Sequence, residues 1–82
     1  MSNELEKQGI ASRQRIYDFL VDFITKNGYP PTTREICEGT DIKSTASVHD
    51  HLLTLEKMGL IHFEEYKPRT ISLVGYKFVK DK

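Results

Sequence analysis

The side chains with the most evident capacity for specific contacts are a row of short ones between positions 44 and 50. The row comprises Ser44, Ala46, Ser47, His49 and Asp50. Its polar members can donate or accept hydrogen bonds, and none of the five is bulky, so the row is suited to the base edges of a DNA major groove. The same pattern is also typical of the solvated face of an ordinary helix. These residues alone leave both interpretations open.

This row lies on a predicted third helix. Val48, Leu52 and Leu55 recur at helical spacing, so one stripe faces a core and the polar row faces outward. Ser44 is a natural N-cap, and Gly59 is a natural residue to end the helix. The pattern predicts a capped helix that presents its small polar side chains in the first two turns.

The first helix is predicted to begin at Ser12 as N-cap and to end at Asn27 and Gly28, before two prolines. Its apolar positions follow helical spacing: Ile16, Phe19, Leu20, Phe23 and Ile24. Its opposite face is charged, as expected of a solvated surface. Residues 1–11 are charged and weakly patterned, and we interpret them as a flexible leader.

The second helix is predicted to be short, covering residues 33–40. Thr32 and Glu35 form a T-x-x-E capping box at its start. Ile36 and Cys37 are its inward residues, and we interpret the cysteine as a core residue rather than a nucleophile. The second and third helices are joined by so few residues that they predict a helix-turn-helix.

After Gly59 the apolar period changes from 3.6 to 2. Ile61 and Ile71 each begin a short alternating run, and a proline-containing turn separates the two runs. The predicted fold class is therefore α+β, a winged helix-turn-helix with three helices followed by a β-hairpin wing. The domain is predicted to cover residues 12–74, with residues 75–82 as a C-terminal tail or extra strand.

Composition argues against several other classes of protein. The chain has 82 residues, 12 basic and 12 acidic, so its net charge of zero is a weak argument against nucleic-acid binding. A single cysteine rules out an internal disulfide. Neither a membrane span nor a signal peptide is evident, and the sequence predicts a cytoplasmic location.

Catalytic and metal-binding patterns are also lacking in the sequence. His49 and His51 are two positions apart on one helix, so they point to nearly opposite sides and cannot share a metal ion. There is no phosphate-binding glycine loop, nucleophile elbow or HExxH motif. We therefore predict a protein that is not an enzyme, with no cofactor, metal site, small-molecule substrate or membrane partner.

Four stretches together resemble the N-terminal DNA-binding domain of the LexA repressor family, which governs the bacterial SOS response. They are RQRIYDFL, NGYPPTTREI, SVHDHLLTLEKMGLI and KPRTISL, and they span residues 12–73. The resemblance implies a third helix in the major groove and a wing against the DNA backbone or minor groove. We expect no counterpart of the family's C-terminal serine and lysine peptidase, and the 82 residues contain no Ala-Gly pair of the kind at which the family is cleaved.

Carried over by position, the resemblance implies two groups of DNA-binding residues. Base reading falls to Ser44, Ala46, Ser47, His49 and Asp50. Backbone contact falls to Lys67 and Arg69. We add Arg34, Lys43 and Thr45 to the predicted backbone contacts. Asp41 and Thr40 depart from the glycine and aliphatic residue usual in the family, but both substitutions are compatible with the fold.

The sequence thus predicts a sequence-specific regulator that binds double-stranded DNA, most simply a LexA-like repressor without self-cleavage. It is expected to read a pseudo-palindromic operator and to form a weak homodimer on DNA. The alternative is a winged helix that binds protein, such as an antirepressor that pairs with a full-length relative. The near-neutral charge and an apolar Leu53 predicted to be exposed favour that alternative.

Overall fold

The computed structural model describes residues 4–75, and the side chains from residue 9 onward. The elements are α1 (Glu4–Asn27), α2 (Thr33–Thr40), α3 (Thr45–Lys57), β1 (Ile61–His62) and β2 (Ser72–Leu73). The two strands are antiparallel, and Ile61 lies opposite Leu73. Three helices followed by such a hairpin form a winged helix-turn-helix, as predicted. The predicted extra strand falls largely on residues 76–82, which lie outside the described residues.

Helix α1 begins well before the predicted start. It is already helical at Glu4, so Ser12 lies within the helix and is not its N-cap, and residues 4–11 do not form a separate leader. The residues that precede Ser12 are largely glutamate, leucine, lysine and glutamine, which have high helix propensity. Once a packed segment nucleates the helix, such residues extend it without needing an apolar stripe of their own.

The core lies where the three helices meet the hairpin. Ile16, Leu20 and Ile36 are fully buried, and Val48 and Ile61 join them from α3 and β1. Phe19 and Cys37 are partly buried and pack against this cluster, so the cysteine is a packing residue, as predicted. Burial of these apolar side chains fixes the angle between α2 and α3, and thereby the direction in which α3 faces.

The capping box at the start of α2 is confirmed. The Thr32 hydroxyl accepts a hydrogen bond from the Glu35 backbone N–H at 3.2 Å, and the Glu35 carboxylate accepts one from the Thr32 N–H at 2.9 Å. At the other end, Asp41 adopts a left-handed conformation with φ 60°. Aspartate tolerates this region better than most residues, which lets the chain turn sharply into α3.

Both predicted ends of α3 are confirmed. The Ser44 hydroxyl accepts a hydrogen bond from the Ser47 backbone N–H at 3.2 Å. After Met58 the helix closes in a Schellman motif, with Gly59 N–H donating to Glu56 O at 2.9 Å and Leu60 N–H to Leu55 O at 3.0 Å. Gly59 has φ 79°, a conformation in which glycine has no steric cost. The helix therefore has a defined position relative to the hairpin.

The segment between the strands forms the wing, residues 63–71. Ile71 and Leu73 are buried while Ser72 between them is exposed, which is the alternation that the sequence predicted. The Thr70 hydroxyl closes the wing, since it accepts from Glu64 N–H at 2.9 Å and lies 3.1 Å from Glu64 O. Side-chain hydrogen bonds thus help to hold this loop in place, since each of the two strands that flank it is only two residues long.

Candidate nucleic-acid interface

The start of α3 presents an uninterrupted exposed surface. All five residues from 43 to 47 are exposed, and Asp50 one turn later is exposed as well. Val48 between them is fully buried and fixes the rotation of the helix about its axis. The predicted residues Lys43, Ser44, Thr45, Ala46, Ser47 and Asp50 are therefore all accessible at the start of α3.

His49 does not point straight outward. Its Nε2 lies 3.1 Å from Oε1 of Glu65 in the wing, and its ring meets Phe63 edge to face with centroids 6.0 Å apart. The side chain is 41% exposed. His49 therefore spans the gap between α3 and the wing, whereas helical periodicity alone placed it on the outer face.

The side chain of Arg69 is also bonded to other residues of the protein. Its guanidinium makes two bonds of 3.0 and 3.1 Å to the Glu35 carboxylate and a third of 3.0 Å to the carbonyl of Pro30. It also lies over the ring of Tyr29, 4.9 Å from the centroid. The planar arginine fork suits this two-point contact with a carboxylate. Arg69 thus fastens the wing to the start of α2.

His49 and Arg69 both line a cleft of about 320 Å³. It lies between the start of α2, the second turn of α3 and the wing, and its lining includes Arg34, His49, Tyr66, Lys67 and Arg69. Arg34 and Lys67 are exposed, and Lys67 Nζ lies 3.3 Å from the Glu64 carboxylate. Because both partners of this ion pair are largely exposed, it is weak and leaves the lysine available to a stronger anion.

Hydrogen bonds set the charge state of the carboxylate at the base of the wing. The hydrogen bond from the Thr32 backbone N–H, and next the one from the Arg69 side chain, lower the pKa of Glu35. Glu35 is therefore an anion at neutral pH, which keeps its bonds to the N–H and the guanidinium charge-assisted.

The pKa of His51 is also lowered, first by burial and then by the charge of Arg13.

The structure adds residues that the sequence did not single out for the site. Glu65 contacts His49, Tyr29 contacts Arg69, and Tyr66 projects from the wing. Glu35 was assigned to the capping box, but its contact with Arg69 joins residues 34 positions apart. No local pattern reports such a contact. The turn composition of residues 65–69 was the one signal that pointed to the wing tip.

Leu53 is partly buried rather than exposed, so the prediction of its exposure is wrong. The side chains that are apolar and exposed lie elsewhere, among them Ile10 and Met58, each 54% exposed. These two line a smaller cleft of about 240 Å³ between α1 and the end of α3. This second cleft shares no lining residue with the first.

Other kinds of site find no support in the described part of the chain. Among its side chains, no three His, Cys, Asp or Glu residues are placed to hold a metal ion. Within residues 4–75, no helix has both the length and the apolar character that crossing a bilayer requires.

Comparison with known proteins places this chain in a family. The family model described as LexA DNA binding domain matches residues 7–70, which include all three helices' core residues and the wing tip. The chain belongs to this family. The match covers every candidate DNA-contacting residue of α3 and of the wing named above.

Relatives show the same extent of similarity. A LexA repressor from Clostridium perfringens is 46% identical over 68 residues, which are 83% of this chain and 34% of that protein. One from Clostridium novyi is 52% identical over 59 residues, 72% of this chain and 29% of its own length. One from Acetivibrio thermocellus is 43% identical over 77 residues, 94% of this chain and 34% of its own. The chain thus spans about a third of the length of these curated relatives.

Proposed function

We propose that this protein binds double-stranded DNA at specific sequences and regulates transcription, most simply by occluding a promoter as a repressor. The observation that carries the proposal is the exposed start of α3, residues 43–47 with Asp50, set beside a wing that is fastened to α2. A protruding helix with small polar side chains enters a major groove without steric conflict. Membership of a family described as a DNA-binding domain supports this reading.

Within this proposal the side chains divide into two groups. Ser44, Ala46, Ser47 and Asp50 read base edges, and Asp50 accepts from a cytosine amino group or repels other sequences. Exposed cations, together with Thr45, hold the duplex by its phosphates. These cations are Arg34, Lys43 and Lys67. His49 takes part in reading when its contact with Glu65 opens.

Arg69 receives a different role from the one that the sequence predicted. Its guanidinium is shared among Glu35, Pro30 and Tyr29, so a phosphate would have to displace these partners. We assign to Arg69 the placement of the wing, which brings Lys67 to the duplex. Direct phosphate contact by Arg69 stays a prediction.

The proposal is tested with duplexes selected from a random pool, by fluorescence anisotropy on selected and random DNA. Ser47→Ala is expected to weaken selected DNA by about tenfold and random DNA little, because its contact is to a base. Lys67→Ala is expected to weaken both and to lower the salt slope by about one.

A closely matched control is Lys26→Ala. Lys26 on α1 has the same charge, a similar exposure of 71% against 68%, and an ion pair of the same length, 3.3 Å, to Asp22. It lies on a different surface and should leave DNA binding unchanged. Equal loss from Lys26→Ala and Lys67→Ala would show that only overall charge matters. Absence of salt-dependent binding to any selected duplex would overturn the proposal.

We further propose that two copies bind one pseudo-palindromic operator, with half-sites about 34 Å apart, and associate weakly away from DNA. The cytoplasmic location stays a prediction from the sequence. Protein binding as an antirepressor is the alternative, and the surface that favours it is the cleft with exposed Ile10 and Met58. That alternative would be favoured if Ser47→Ala left duplex binding intact and Met58→Glu abolished antirepressor activity.

A further inference from the structure

The wing tip carries an aromatic side chain that the fold does not use. Tyr66 is 98% exposed. Ile10 and Met58, two other exposed apolar side chains in the described residues, are each 54% exposed. Tyr29, by contrast, is 47% exposed and packs against Arg69 and Phe23. A fully exposed ring contributes no burial to folding, so the fold gives no reason for an aromatic residue at position 66.

The backbone conformation of Tyr66 adds a steric cost. Its φ is 65°, in the left-handed region that glycine adopts freely and that a bulky side chain rarely adopts. The wing contains a second such residue, Arg69 with φ 58°, but its side chain is bonded to Glu35. For Tyr66 no contact within the described structure offsets the steric cost. Outliers of this kind are concentrated at functional sites.

The loop around Tyr66 is nevertheless held in place. Thr70 bonds both the N–H and the carbonyl of Glu64, and also lies 3.2 Å from the Lys67 carbonyl. Arg69 fixes the other end of the loop on α2. The ring therefore projects from an anchored support, which lowers the entropy lost when it meets a partner.

The position of Tyr66 indicates which partner it meets. It lines the same cleft as Arg34, His49 and Lys67, so it lies on the side of the molecule that we propose faces DNA. Arg69, the other cation of the wing, is turned toward α2. Lys67 and the Tyr66 ring are thus the groups that the wing tip offers to a duplex.

We propose that Tyr66 binds the sugar–phosphate backbone of duplex DNA beside the groove that α3 occupies. Its hydroxyl donates a hydrogen bond to a phosphate oxygen, and its ring packs against a deoxyribose. Tyrosine is among the side chains that contact DNA in this way, and such contacts position a protein without reading sequence. This inference rests on the proposed DNA binding and adds one residue and one kind of contact to it.

The first test compares stability with binding in Tyr66→Gly, Tyr66→Ala and Tyr66→Phe. Glycine removes the side chain and relieves the left-handed backbone, so Tyr66→Gly should melt no lower than the parent. It should nevertheless bind selected and random duplexes about tenfold more weakly, as expected for loss of a hydrogen bond to a charged acceptor together with ring contacts. Tyr66→Phe should lose about threefold, since it keeps the ring.

Salt dependence separates this contact from a cationic one. The Tyr66 variants should leave the salt slope unchanged because no charge is removed, whereas Lys67→Ala lowers it. Parent-like binding by Tyr66→Gly and Tyr66→Ala, with parent DNA binding intact, would overturn this inference alone. If the parent binds no duplex, the proposed function fails and this inference fails with it.

A second test observes the contact directly. The chain has no tryptophan, so Tyr66→Trp introduces a single fluorescent reporter at the wing tip. Acrylamide should quench it strongly in the free protein and weakly when saturating duplex is added. Met58→Trp is the control, since Met58 is 54% exposed at the opposite end of α3 from the reading residues. Equal quenching of Tyr66→Trp with and without bound DNA would contradict the proposed contact.

Discussion

Arg69 in the wing and Glu35 in helix α2 form a two-point ion pair, with Nη1 3.0 Å from Oε1 and Nη2 3.1 Å from Oε2. The same Oε1 accepts the Thr32 N–H at 2.9 Å. One carboxylate therefore caps α2 and holds the wing. Because α2 and the wing border the same cleft, this pair sets the distance between the two parts of the proposed interface.

The first prediction concerns the pH dependence of stability. The pKa of Glu35 is lowered in the folded protein, first by the Thr32 N–H and then by Arg69. The unfolded state therefore binds a proton more readily, so the stabilisation by this group is complete above the ordinary pKa of 4.5 and is lost as pH falls through the lower folded value. Urea unfolding of the parent and Glu35→Gln should show a stability difference at pH 7 that narrows below about pH 4.5.

Glu38→Gln is the control for this measurement. Glu38 is exposed on the same helix, so its substitution reports the effect of removing one negative charge from α2. A constant difference between parent and Glu35→Gln from pH 7 to pH 3 would show that the ion pair and the cap contribute nothing through the charge of Glu35.

The second prediction concerns the N-cap of α2. Thr32→Ala removes the hydroxyl that accepts the Glu35 N–H and should lower the free energy of unfolding by about 1 kcal/mol. Thr33→Ala makes the same chemical change one residue later, within the helix, and should change stability by only a few tenths of a kcal/mol. Chemical denaturation measures both. Equal effects of the two substitutions would mean that the capping bond is not what stabilises the start of α2.

The third prediction concerns a close approach between α1 and α2. A methyl group on Gly39 would overlap the ring of Phe19, so Gly39→Ala should destabilise the fold by about 1 to 3 kcal/mol despite the higher helix propensity of alanine. Gly9 on α1 has open space around it, and Gly9→Ala should stabilise by up to about 1 kcal/mol. Thermal unfolding should therefore shift in opposite directions. A stabilising Gly39→Ala would show that the two helices are further apart.

The elements that the sequence predicted correctly are those specified by local chemistry. The start of α2 follows from Thr32 and Glu35, and both ends of α3 follow from Ser44 and Gly59, because caps act over a few neighbouring residues. The start of α1 was misplaced because apolar periodicity marks the part of a helix that packs. Propensity alone can extend a helix beyond that part.

The orientation of the site residues depends on contacts between distant segments. Helical periodicity places His49 outward, but the wing folds over it and brings a carboxylate from 16 residues away. Arg69 is the parallel case, since a cation beside a turn proline is expected in solvent, yet its partner is 34 residues away. Side-chain pairs at such separations follow from the packing of the whole domain, which residue spacing does not report.

The last prediction concerns the contact between His49 and Glu65. Glu65 Oε1 lies 3.1 Å from His49 Nε2, the ring atom at the far end of the side chain, and so competes with any base edge for that nitrogen. We therefore expect Glu65→Gln to raise affinity for the selected duplex about threefold more than for random DNA, because only the selected site offers His49 a matched base. Anisotropy at fixed salt measures the two gains.

The control for this prediction is the neighbouring carboxylate. Glu64 pairs with Lys67 rather than His49, and Glu64→Gln removes the same charge from the same loop. It should raise affinity for both duplexes by similar factors, since loss of a negative charge near a polyanion acts regardless of sequence. In a His49→Ala background the extra gain of Glu65→Gln on selected DNA should disappear, because the competed nitrogen is gone. Persistence of that gain without His49 would assign the effect to Glu65 and DNA directly, and His49 would then serve to hold the wing rather than to read sequence.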